Sequence, residues 1–161
     1  CYDLNKDRFP SRLLLTFEKD GMSYAFTIGA GMFSMPNADR YYAEYEDYAR
    51  CEYAVQYPSS SLSREEEMEL FSSIAGLCSL PWHAIDCVGH GHTLDIPIKD
   101  KYGCVLIDDD KSGDPLPLHL KKEGVHVYWI RSVEDEIFAQ LKDEEKKEQL
   151  LEQLCLHTEL L

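Results

Sequence analysis

The sequence predicts an α+β fold: an α/β two-layer sandwich on a mixed sheet of about five or six strands, with a middle helix and a C-terminal helix. Three observations carry this. Two strand-like runs meet at Asp20-Gly21, a residue pair that closes hairpins. Ser63 stands three residues before Glu66, at the head of an apolar pattern with helical steps. The last stretch, from Val133 to about Leu156, again places its apolar residues at helical spacing.

Taken in order, Arg12 to Glu18 is a short apolar run, and Ser23 to Ile28 alternates Tyr24, Phe26 and Ile28 after the Asp20-Gly21 turn. Gly29, Gly31, Pro36 and Asn37 break the pattern, and Tyr41 to Tyr48 has no clean period, which reads as a loop or frayed helix. Cys51 to Tyr57 alternates Tyr53, Val55 and Tyr57, the signature of a half-buried strand stopped by Pro58 and the serines that follow. The helix opened by Ser63 carries Glu65, Glu66 and Glu67 where the positive end of the macrodipole favours them, so capping explains the acidic triplet. Its apolar face is predicted as Met68, Phe71, Ile74, Ala75 and Cys78. Tyr102 to Ile107 and Val125 to Ile130 are further strands, separated by the polar loop Asp108 to Asp114. Ser132 with Asp135 offers a second cap, and the final helix is predicted to break at Asp143 to Lys147, where every residue is charged.

Composition bounds the function. In 161 residues, 16 basic against 30 acidic side chains give a net charge of -14, a field that repels phosphate backbones and anionic membranes and attracts basic partners. Nucleic-acid and membrane binding are therefore not expected. No internal repeat or Gly/Ser linker divides the chain, so residues 1–161 read as a single domain. The six cysteines, Cys1, Cys51, Cys78, Cys87, Cys104 and Cys155, lack framework spacing and read as free thiols in a cytoplasmic protein; three disulfides are the alternative. No run approaches the length of a membrane span.

Catalytic motifs are sparse. Gly29-Ala30-Gly31 lacks the downstream glycine of a dinucleotide loop, and the chain has no GxSxG elbow. Asp108-Asp109-Asp110 misses the ligand spacing of a calcium loop and reads as solvated. Trp82 to Thr93 is the one stretch rich in metal donors: Cys87, His90 and His92, with Asp86 or Asp95 nearby, could wrap a zinc ion. The competing reading is a tight turn, allowed by Gly89 and Gly91, whose histidines bond neighbouring backbone. No cofactor is implied.

Several landmarks fall in a familiar order. Thr27-Ile28-Gly29-Ala30-Gly31-Met32 with Pro36, then Glu52-Tyr53-Ala54-Val55-Gln56-Tyr57-Pro58, then Gly91-His92-Thr93 with Pro97, and finally Val125 to Ile130 before Glu134-Asp135-Glu136, resemble the suppressor of fused-like domain. The resemblance spans roughly residues 12 to 155. Two departures stand out: serines replace the aromatic that follows the strand-ending Pro58, and Arg131-Ser132 stands where the family has a proline. The resemblance implies an α/β domain without catalytic residues that binds a protein: bacterial members are associated with immunity to secreted toxins, and the animal member holds a transcription factor inactive.

The resulting expectation is a non-catalytic bacterial immunity protein that neutralises a basic toxin. Its partner-binding candidates are Tyr41, Tyr42, Glu44, Tyr45, Glu46, Asp47 and Tyr48, because tyrosine is favoured as an interface anchor and acids complement a basic surface. Gly91, His92 and Thr93 form the family-motif loop. The alternatives are a small zinc-dependent hydrolase using Cys87, His90 and His92, and a regulatory domain of a larger protein.

Overall fold

A computed structural model of the chain describes residues 13–85, 87–96, 101, 103–113 and 124–156. Cys1, Arg12, Asp86, Pro97, Tyr102 and Asp114, which the sequence reading used, lie outside the described residues. Strands β1 (Leu13–Lys19) and β2 (Met22–Ile28) pair antiparallel with Lys19 opposite Met22. This leaves Asp20 and Gly21 as a two-residue turn, with φ of 52° and 80°. Positive φ at both positions matches the right-handed twist of the strands, and Asp-Gly supplies it at low cost.

Two one-turn helices, α1 (Ala38–Tyr41) and α2 (Tyr45–Tyr48), occupy the region predicted as loop or frayed helix. β3 (Cys51–Pro58) follows, then α3 (Arg64–Leu77), β4 (Thr93–Leu94), β5 (Gly103–Asp108), β6 (His126–Val133), α4 (Asp135–Gln140) and α5 (Glu144–Leu156). Among the described residues the six strands lie in the order β1-β2-β3-β6-β5-β4, and there only the β3–β6 pair is parallel, so the sheet is mixed as predicted.

Placing β3 next to β6 in the middle of the sheet changes one expectation. Instead of a half-buried strand, β3 is buried on both faces: Tyr53, Val55 and Tyr57 enter one apolar cluster and Ala54 the other. α3 covers the first face through Leu70, Ile74 and Leu77, whereas α4, α5 and the break between them cover the second through Ile137 and Phe138, Leu151, and Leu141 respectively. The helical cover is thus fuller than a two-layer sandwich requires. Each large side chain so buried contributes about 1.5–3 kcal/mol. Trp129 sits in the second cluster and donates from Nε1 to the buried Asp109 carboxylate at 2.7 Å, which satisfies both groups.

The capping box is formed: Ser63 Oγ accepts from the Glu66 amide, and Glu66 accepts from the Ser63 amide at 2.7 Å. The buried stripe of α3 is rotated from the predicted one, for Met68 is 60% exposed while Leu70 and Leu77 are buried. The Ser132–Asp135 cap does not form, because Ser132 is held in β6 opposite Cys104 and the helix begins after Glu134. The final helix breaks between Gln140 and Glu144, earlier than predicted, where Leu141 turns into the core. Among the described residues, no helix is long and apolar enough to cross a membrane. Cys51, Cys78, Cys87, Cys104 and Cys155 are free thiols.

Candidate functional site: one rim of the sheet

Strand direction gathers the singled-out residues at one end of the sheet. β3 and β6 run parallel with Cys51 opposite His126, β5 arrives there at Asp108, and β2 ends there at Ile28. The turn before β4 reaches the same end, since Gly91 donates to the Leu106 carbonyl at 2.7 Å and Leu106 donates to the His92 carbonyl at 2.9 Å.

Two of the motifs singled out in the sequence meet at this rim. The Glu52 carboxylate accepts the Thr27 hydroxyl and the amides of Gly29 at 2.8 Å, Ala30 at 3.2 Å and Gly31 at 3.0 Å. Thr27 Oγ1 in turn accepts the Tyr53 amide at 2.8 Å. One carboxylate therefore satisfies three backbone donors of the 3-10 turn Ala30–Met32 and its lead-in, and charge-assisted bonds of this kind are the strong ones. The threonine, the Gly-Met loop and the Glu-started strand act as one latch.

The His-rich loop is tied to backbone. His90 Nδ1 accepts the Asp108 amide at 3.2 Å, and His92 Nδ1 accepts the Gly89 amide at 3.2 Å. Accepting at Nδ1 requires neutral rings with the proton on Nε2. Burial holds both imidazoles below their ordinary pKa; the Lys111 and Lys147 ammonium groups add to this at His90, and Lys147 does so at His92. Cys87 is buried, with its thiol toward the Val88 carbonyl. The donor atoms of Cys87, His90 and His92 do not converge, which removes the geometric basis of the zinc alternative and favours the tight-turn reading. Among the described residues, the group of three donors that does close is Asp108, Asp110 and His126, within 4.8 Å of one another. Internal bonds account for it: Asp108 Oδ2 meets His126 Nδ1 at 2.7 Å, and Oδ1 accepts the Asp110 amide at 3.0 Å.

The acidic tyrosine segment is split by burial. Tyr42 and Tyr48 are half-buried and stack at 5.0 Å, Tyr48 stacks on His126 at 4.7 Å, and His126 on Tyr128 at 6.0 Å. The Tyr42 hydroxyl lies over Gly89, where a side chain would collide with it. Burial, with lesser contributions from Cys87 and Cys51, pushes the Tyr42 phenol up to about 12. Tyr42 and Tyr48 thus pack against the rim and present less of their rings to a partner than their neighbours do. Tyr41, Glu44, Tyr45, Glu46 and Asp47 are exposed, the two tyrosines by 61% and 43%.

The sequence reading does not use His126 and takes Asp108 and Asp109 as part of a solvated loop, whereas they are only 5% and 6% exposed and β5–β6 register pairs Asp108 with His126; the exposed Met32 and Phe33 lie between its pattern-breaking Gly31 and Pro36. A bond of 2.6 Å from the Met35 amide to the Ala49 carbonyl ties the Met32–Phe33 segment to the end of the tyrosine segment. No family model matches the chain, and the search of curated proteins finds no match.

Proposed function

We propose that the chain is a non-catalytic, cytoplasmic protein-binding module of the suppressor of fused-like kind, and that it acts as a bacterial immunity protein occluding a basic toxin. The observation that carries this reading is the division of the tyrosine segment. Tyr42 and Tyr48 are spent on anchoring it to His126 and Gly89, which leaves Tyr41 and Tyr45 displayed beside Glu44, Glu46 and Asp47 on a preorganised backbone. Rigid aromatic anchors among carboxylates suit a partner rich in Lys and Arg, and rigidity lowers the entropic cost of docking. A net charge of -14 steers such a partner from a distance.

Affinity capture from lysate of the source organism tests it, run at about 100 mM and about 500 mM salt, since screening weakens acidic recognition. The expected result is one stoichiometric basic protein, retained at low salt and released at high salt. Capture of no protein, or of an acidic one indifferent to salt, overturns the proposal.

A further inference from the structure

Of the two edges of the sheet, one is blunted and the other is not. β4 is two residues long, which leaves little backbone to template another strand. β1 runs for seven residues in unbroken register with β2, without proline, and its one lysine stands at the hairpin end. Among the described residues β1 pairs with β2 alone. Lys19 and Met22 flank a two-residue turn, so they form a hydrogen-bonded pair, and Phe17, Leu15 and Leu13 follow at alternate positions. The N–H and C=O groups of Leu14, Thr16 and Glu18 therefore point away from β2, along the open edge.

Side chains of β1 divide between the two faces of the sheet. Leu14 packs with the cluster under α3, whereas Leu13, Leu15 and Phe17 lie on the other face, where α4 and α5 rest on β5 at the far side of the sheet. Leu13 and Leu15 are exposed there, beside the exposed Ile28, and Phe17 stacks on Tyr24 at 4.8 Å. In a chain of net charge -14, β1 carries one glutamate and one lysine.

We propose that two copies of the chain join through β1, antiparallel about a two-fold axis at Thr16, so that their sheets become one. This register sets Thr16 opposite Thr16 and Leu14 opposite Glu18 of the second copy, and it satisfies every outward backbone group of Leu14, Thr16 and Glu18. It also sets Leu15 against Phe17 of the second copy and lays the Lys19 stem on Leu13, which covers the exposed leucines. Charge permits the contact, because the two Glu18 side chains then stand about 14 Å apart, beyond the ~10 Å reach of a charge at about 0.1 M salt. Seven residues a side are fewer than the roughly 20–30 of a stable interface, so the dimer is weak and reversible. No residue of the tyrosine segment takes part, and the dimer is independent of the toxin-docking reading.

Sedimentation equilibrium of the full chain from about 20 μM to about 2 mM, with amide hydrogen exchange read by NMR at both concentrations, tests it. The expected result is a reversible monomer–dimer equilibrium with a Kd of about 0.1–1 mM, tightened several-fold between about 100 mM and about 500 mM salt, since screening relieves the repulsion of two acidic bodies. Amides of Leu14, Thr16 and Glu18 should exchange several-fold more slowly at the high concentration, with Leu15 and Phe17 unchanged. Thr16→Pro removes an outward donor and no bond to β2, and should weaken the dimer by about tenfold or more. Met68→Lys, at an exposed apolar position on α3 away from the edge, should change it by less than about twofold. If Thr16→Pro loses its folded spectrum, Leu15→Lys, at an exposed position, should still weaken the dimer several-fold. A monomer across the whole range overturns the proposal, as does a dimer that Met68→Lys weakens as much as the edge variants do. Exchange at Leu14, Thr16 and Glu18 that ignores concentration also overturns it, and would show that another segment of the same chain already lies on the edge.

Discussion

The two ends of the sheet are built by different means. At the hairpin end, order is local: Asp20 and Gly21 turn the chain within two residues, and Ser63 and Glu66 cap α3 within one helical turn. At the rim, order comes from residues far apart in sequence. Glu52 holds Gly29 to Gly31 from more than twenty positions away, Asp108 reaches His126 across eighteen, and Tyr48 leans on His126 from another segment altogether. Long-range polar contacts hold a surface in one shape without burying its outward side, which is what a docking surface needs. The difference teaches where this fold spends its stability and where it displays side chains.

The sharpest way to break the comparison is at Glu52. Glu52→Ala strands a hydroxyl and three amides, and should cost about 3–5 kcal/mol in urea unfolding, with Glu52→Gln recovering part of it. A loss below about 1 kcal/mol would mean the latch does not hold the rim. Next come two glycines with the same φ of 80° in different surroundings. At Gly91 an added Cβ meets Leu151 Cδ1 at 2.8 Å, whereas at Gly21 nothing lies within 4 Å. Gly91→Ala should therefore cost about 2 kcal/mol or more and Gly21→Ala about 1, and equal costs would show that backbone strain alone decides both. Ser63→Ala, at the hairpin end, should cost about 1 kcal/mol without altering rim signals in NMR spectra.

A smaller effect follows from pH. Burial first, then nearby lysines, lowers the pKa of His90 and His92 in the folded chain below the ordinary value of 6.5. The unfolded chain therefore takes up protons first, so stability is fully present above about pH 6.5 and falls as pH drops through the folded values. Urea midpoints measured from pH 8 down to pH 5 should fall for the wild type and fall less for His90→Gln; parallel curves would contradict the account of that loop.

Legibility in the sequence follows the same division. The Asp20-Gly21 turn, the Ser63 capping box and the strand-like runs were readable because their causes lie within a few residues. Where a distant strand intervenes, the reading slips: Ser132 has the spacing of a cap, but its pairing with Cys104 keeps it in β6. Helical spacing places Ile74 and Cys78 on the buried face of α3 as found, but it also puts Met68 there, whereas packing against the sheet selects Leu70 and Leu77. The spacing of the tyrosine segment shows no period, and nothing local says that Tyr42 and Tyr48 turn inward while Tyr41 and Tyr45 turn outward. That division depends on Gly89 and His126, both brought in by β-sheet register.

The outward pair gives the most direct test of the central claim. Tyr41→Ala/Tyr45→Ala should leave the unfolding free energy within about 0.5 kcal/mol of wild type, because both rings are exposed. By calorimetry against the captured basic partner, the same variant should bind about tenfold more weakly or worse. Unchanged affinity would contradict a docking role for the rim, and a loss of stability matching the loss of affinity would show that these rings, too, serve packing.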